Sequence, residues 1–314
     1  MIGWYEANLV LIEATFLNFL LALSIQVPLR LGVFSFAGVG SYGLGAYTAA
    51  ILTLRYDVPA FVAIGAAVLL AAVVGYLFSL LVARLNGLYL AMATIAFVLI
   101  IAVLATNGGE LTGGANGLYG ALSDLTTGGV VAVCVVVAVL LALTERGPLR
   151  RRIEAVREDP ELSLSMGIGV VPMRQMAFAV SGALGACAGA MNALLRTTVS
   201  PEEINFHLIV LALTMVIIGG SRSWIGAFIG SVIFTWLPSV LASAGRWQDV
   251  VYGVIIILAA IFMPTGLLGL VQTLYQKLRG RRSAAVTAEA PADDTAEERA
   301  LLQALGGESR GGVQ

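Results

Sequence analysis

The sequence predicts an all-α polytopic membrane protein of about nine transmembrane helices, and three observations predict it. The 314 residues have a mean hydropathy of +0.92, with 59% hydrophobic and 12% charged residues, whereas a soluble domain carries about 25% charge. Apolar runs long enough to cross a hydrocarbon core of about 30 Å recur as far as residue 268, so the hydrophobic mass is many helices and not one anchor. These runs, such as VVAVCVVVAVLLAL from Val130 to Leu143, are apolar on every face. A transmembrane barrel would instead alternate apolar and polar residues over ten-residue segments.

Hydropathy and Gly/Pro punctuation place the spans near 9–27, 36–54, 60–83, 88–106, 129–144, 173–195, 207–220, 224–244 and 249–268. The first basic residue is Arg30, so the N-terminus lacks the positive region of a secretory signal and the first helix is expected to be retained. Setting Arg146–Pro172 in the cytoplasm puts thirteen basic residues inside, among them Arg30, Arg84, Arg174 and Lys277, and leaves Arg55, Arg196 and Arg246 outside. That asymmetry predicts an external N-terminus and a cytoplasmic C-terminus. Residues 1–280 then form the membrane domain. Residues 281–314, rich in Ala, Glu, Asp and Gly, are expected to be a disordered cytoplasmic tail.

The outward loops are acidic or glycine-rich, notably Thr106–Gly129 and Thr197–His207. They read as solvated connections or, taken together, as a docking surface for an external partner. Two glycine-dense segments, LGVFSFAGVGSYGLGAYTAA (Leu31–Ala50) and IIGGSRSWIGAFIGSVIF (Ile217–Phe234), occupy corresponding places in the two halves of the chain. Small residues at Gly38, Gly43 and Ala46, and at Gly226 and Gly230, fit close helix packing. They also fit a second reading, two pseudo-repeat halves in which each segment enters as a short or broken helix beside a translocation path.

Several absences narrow the function. There is no GxxxxGK[ST] and the only lysine is Lys277, so the chain is not itself a P-loop ATPase. A single histidine, His207, offers neither a triad nor a metal cluster, and GGSRSWIG is not a nucleophile elbow. No enzyme chemistry, cofactor or nucleic-acid partner is called for. Cys134 and Cys187 fall within spans and read as small buried apolar side chains. The spans lack well-buried ionisable residues, which counts against an ion-coupled pump. Their polar groups, Asn18, Gln26, Thr94, Asn192 and Thr214, read as interhelical hydrogen-bonding groups.

One segment breaks the apolar pattern. Nine of the sixteen residues from Arg146 to Glu161 are charged, and Leu149, Ile153 and Val156 form an apolar stripe at helical spacing. Asp159-Pro160 is a helix start, with an N-cap carboxylate and proline at the first helical position, and Gly167 suits a C-cap needing positive φ. The segment 145–172 thus reads as a compact helical knob. A transport path without its own energy source would need such a joint.

The run EAVREDPELSLSMGI, then SGALGACAGAMNALL (Ser181–Leu195), then SPEEINFHLIVLALTMVIIGGSRSWIGAFIGS resembles the permease subunit of bacterial branched-chain amino acid ABC importers. The likeness is to the LivM type more than to its LivH partner. NGLYLAMATIAF, LTGGANGL and MPTGLLGL (Met263–Leu270) extend it to about residues 20–270. It implies a multi-pass subunit of the bacterial inner membrane that translocates branched-chain or related amino acids. It also implies a heterodimer with a second permease, two cytoplasmic ATPase subunits and an external solute-binding protein. The segment 145–172 would be the element docking in the ATPase, with Ala155, Glu158, Asp159, Pro160, Met166 and Gly167 as its residues. Leu162 and Ser163 stand where the family usually has two small alanines, and Arg222 and Trp224 interrupt a plainer glycine-rich turn. The polar, uncharged span residues are also compatible with a stand-alone channel or facilitator for small polar solutes such as urea or amides.

Overall fold

The computed structural model describes Glu6, residues 8–121 and 124–241, and Gly253, Val254 and Ile257. Ten helices run in the order α1 (Leu9–Arg30), α2 (Ala37–Tyr56), α3 (Ala60–Leu81), α4 (Gly87–Asn107), α5 (Thr127–Thr144), α6 (Gly147–Glu158), α7 (Pro160–Ser165), α8 (Val170–Arg196), α9 (Phe206–Gly219) and α10 (Trp224–Leu241). Eight of them occupy the first eight predicted spans. The ninth span is, but for the last three residues named, outside the described residues, as is the tail 281–314.

Six helices, α1, α3, α4, α5, α8 and α10, are long and apolar enough to cross a membrane. The other two differ for physical reasons. Helix α2 has 20 residues but is built of Gly, Ser, Thr and Tyr on a largely buried surface, so its composition is less apolar. Helix α9 has only 14 residues, about 21 Å of helix, which falls short of the hydrocarbon thickness.

Helix α8 is the centre of the bundle, packed by α2, α3 and α1. Lipid tails are as apolar as leucine, so burial alone cannot drive helices together in a bilayer, and close backbone packing must. The α2–α8 crossing supplies it. A Cβ on Gly185 would overlap the Gly38 carbonyl, one on Gly189 the Tyr42 carbonyl, and one on Gly45 the backbone of Ala186. On the periphery the pattern inverts: α3, α4 and α5 turn Leu69, Leu81, Met92, Leu104, Val136 and Leu143 outward, the faces that hydrocarbon covers.

At one end of the bundle a two-stranded antiparallel ribbon, β1 (Leu118–Tyr119) with β2 (Thr198–Val199), ties the α4–α5 loop to the α8–α9 loop. Gly117 sits at φ +78°, and a Cβ there would overlap the Val199 carbonyl. The two loops therefore share one side of the bundle.

Candidate functional site

Three places carry polar chemistry: the charged knob, the seam beside it, and a cleft at the loop-bearing end. In the knob, the Asp159 carboxylate accepts the Glu161 and Leu162 amides, each at 3.0 Å, and so caps α7. Met166 closes α7, and Gly167 follows at φ +80°. The Gly167 and Ile168 amides donate back to Leu164 O at 3.0 Å and Ser163 O at 2.9 Å, satisfying carbonyls that the helix end leaves open.

The apolar stripe of α6 turns inward at Ile153 and Val156 only, and Leu149, its first member, is 42% exposed. Val156 is fully buried and Ile153 partly so, packed with Leu31 and Val33 of the α1–α2 turn. Ile153 and Val156 are thus the knob's anchor to the bundle and not its outer face. That outer face carries Glu158 and Asp159 beside exposed Leu162, Leu164 and Met166, the last 71% exposed. Ala155 and Pro160 are half-buried and Ser163 is buried. Leu164 escapes periodicity reasoning because α7 is too short to show a period.

The seam is a polar lock. Arg30, the last residue of α1, is buried and pairs with Glu145, the C-cap of α5, at 2.6 Å. Glu145 also accepts the Ser223 hydroxyl at 3.0 Å and the Trp224 amide at 2.7 Å, which places its charge at the N-terminus of α10. Gln26 donates to Gly220 O at 3.1 Å and Ser223 O at 2.7 Å, while its amide oxygen accepts Arg30 at 3.2 Å. One cluster therefore joins α1, the start of the knob and the α9–α10 turn. Within the predicted spans no Asp, Glu, Lys or Arg among the described residues is buried; Arg30 lies beyond the predicted end of the first span, and α1 carries it into the bundle.

The glycine segments behave differently from one another. Gly38 faces Ser24 and Ser181, Gly43 faces the Ile204 side chain, and Ala46 is buried, all on the unbroken helix α2. The second segment breaks at Gly220, φ +114°. There Gly226 lies against the Gly219 and Gly220 carbonyls and Gly230 against the Met215 carbonyl, so α9 and α10 touch backbone to backbone.

Among the polar span residues, Asn18 donates to Thr235 Oγ1 at 2.9 Å and Thr94 accepts the Phe36 amide at 3.1 Å. Both join helix to neighbour, as expected. Thr214 instead bonds its own helix, to Val210 O at 2.6 Å. Cys134 and Cys187 are free and buried.

The third place is an open cleft of about 580 Å³ between α1, α2, α8, α9 and the α8–α9 loop. Its mouth carries Arg196, Glu202, Glu203 and His207, and its inner walls carry Leu17, Leu21, Leu208 and Leu211. It reaches down to Leu21, nine residues or about 14 Å along α1 from Arg30, so cleft and lock lie along one seam. Asn192 donates to Glu203 Oε2 at 3.5 Å. Partial burial pushes the Glu203 carboxyl above the ordinary carboxylate value, against the opposing influence of Arg196.

A family model, the permease component of the branched-chain amino acid transport system, matches residues 10–260. The chain belongs to this family. The high-affinity branched-chain amino acid transport permease LivM of Salmonella typhimurium is 29% identical, covering 81% of this permease and 68% of its own length, and LivM of Escherichia coli K12 matches equally. LivH of Escherichia coli K12 is 30% identical over 47% of the permease and 49% of its own chain. No solved structure matches. The permease is accordingly a multi-pass membrane subunit of an ABC importer of the branched-chain amino acid class, and the channel alternative finds no support.

Proposed function

We propose that this permease pairs with a second, related permease, that two ATP-hydrolysing subunits dock on the knob 145–172, and that a solute-binding protein meets the opposite, loop-bearing side. The importer carries branched-chain or chemically related amino acids. The N-terminus lies outside and the C-terminus in the cytoplasm, an orientation supported by the excess of basic residues on the knob side.

The observation that carries this reading is the outer face of the knob. Leu162, Leu164 and Met166 are apolar and exposed in a segment otherwise dense in charge, and an apolar centre with a charged rim is the composition of a protein interface. The anchor through Val156 and the capping by Asp159 and Gly167 hold that face rigid. The likeness to both LivM and LivH supports pairing of two related permeases.

The test is co-purification of the ATPase subunits together with solute-stimulated ATP hydrolysis. Glu158→Arg leaves membrane insertion intact, since exposed surface changes are generally within about 0.5 kcal/mol, but weakens ATPase recovery. Gly167→Val acts more strongly, because a β-branched residue resists φ +80°. Wild-type recovery and stimulation in both variants would overturn the coupling role.

A further inference from the structure

The cleft at the loop-bearing end lies away from the knob, and its lining is of two kinds. Arg196 and Glu203 bear opposite charges on the same cleft, yet they do not pair: the ion pairs among the described residues are Arg30–Glu145 and Arg150–Glu154. Both sit on fixed backbone. Arg196 ends α8, immediately before Thr197 in the left-handed region at φ +56°. Glu203 ends the short helical turn Pro201–Glu203, clamped by buried Pro201 and Ile204 on either side. The buried Asn192 amide turns toward the Glu203 carboxylate. The leucines of α1 and α9 give the same cleft an apolar lining, with Leu17 and Leu21 buried.

We infer that this cleft is an amino-acid binding site of the permease itself, in which Arg196 takes the α-carboxylate, Glu203 the α-ammonium, and Leu17, Leu21, Leu208 and Leu211 an apolar side chain. An acceptor and a donor held apart on one cleft match a zwitterion, which neutralises both, better than any singly charged solute. The volume lies within the range of small-ligand sites, which are mostly apolar with a few fixed polar groups. A surface serving only to dock the external binding protein would have no use for an apolar lining reaching Leu21.

The inference rests on the amino-acid reading above, and the experiment separates the two. The whole importer is reconstituted in nanodiscs without the solute-binding protein, and equilibrium binding of tritiated L-leucine is measured. Competition is with 4-methylpentanoate, which lacks the ammonium, and 3-methylbutylamine, which lacks the carboxylate. Leucine should bind at least about tenfold tighter than either analogue, the scale of one charge-assisted hydrogen bond. Arg196→Gln and Glu203→Gln should each weaken leucine binding by about tenfold or more, with Arg196→Lys falling between. If Glu203→Gln fails to assemble with its partners, Arg196→Gln decides.

Leucine binding at wild-type strength in the Gln variants would overturn the inference. So would loss of binding-protein recruitment with direct leucine binding unchanged, since the cleft would then be a docking surface. Uptake of L-leucine by proteoliposomes of the complete system, with no direct binding by the wild type, sinks the inference and leaves the importer reading standing. Absence of uptake for every amino acid sinks that reading itself.

Discussion

Removing Glu145 should cost more than removing its partner, and removing both should cost less than removing Glu145 alone. Glu145→Ala strips Arg30 of its counter-charge while the guanidinium stays buried, its side chain 9% exposed and its Nε already without a partner. It also frees the Ser223 hydroxyl and the Trp224 amide. Breaking a buried pair from one side costs about 3–5 kcal/mol, because the remaining charge is uncompensated. Arg30→Met instead leaves a carboxylate that is 21% exposed and still holds Ser223 and Trp224, so a loss of about 1–3 kcal/mol is expected. In Arg30→Met/Glu145→Ala no charge is left buried, and the cycle should show coupling of more than about 1 kcal/mol. The assay is thermal unfolding of the purified permease complex in detergent, with the melting temperature of each variant compared. Additive losses, with the double variant the least stable, would refute the electrostatic account of the seam.

Three further outcomes are expected. Gly185→Ala, whose Cβ would overlap the Gly38 carbonyl, should cost about 1–3 kcal/mol, whereas Gly65→Ala, which meets nothing within 4 Å, should leave the melting temperature nearly unchanged; equal behaviour would remove the close-packing argument. In a background lacking Cys134 and Cys187, exposed Ser165→Cys should react with an impermeant thiol reagent only from the cytoplasm and exposed Ala115→Cys only from outside, and the reverse would overturn the orientation. Because partial burial raises the Glu203 carboxyl, amino-acid uptake should begin to fall on acidification at a pH above the ordinary glutamate value of about 4.3, as protonation removes the charge that faces the ammonium. Arg196, Glu202, Tyr42 and His207 face the same cleft, so the profile is taken in a His207→Gln background, and an acid limb that persists in Glu203→Gln would assign it to another group.

What the sequence makes legible is what repeats along it. Lipid requires a long, nearly unbroken apolar run of each spanning helix, so hydropathy locates eight helices, and the charge of 146–161 marks the segment that must leave the membrane. Local chemistry is legible for the same reason: Asp159-Pro160 and Gly167 carry their cap geometry in adjacent residues, and the structure has both caps. The glycines are half legible. Spacing identifies Gly226 and Gly230 as close-packed, but the tightest crossing joins α2 to α8 through Gly185 and Gly189, and nothing local names which distant helix each glycine meets.

The lock and the cleft are silent in the sequence because neither is built from neighbours. Arg30 meets Glu145 across 115 positions and Gln26 meets Ser223 across 197; Gln26 reads as an interhelical hydrogen-bonding group, but nothing local names its partner or joins Arg30 to Glu145. The sequence does contain one indirect signal: a bundle that shields its polar atoms from lipid must pair them at helix ends, where backbone groups are open. Gln26, Arg30, Glu145, Ser223 and Trp224 all lie within a few residues of a helix terminus, and so do Arg196, Glu203 and His207. Helix ends are where the membrane's demand for internal pairing and the protein's need for polar chemistry coincide. In a chain whose midspans offer few polar side chains, that coincidence sets the lock at one end of the α1–α9 seam and the charged mouth of the cleft at the other.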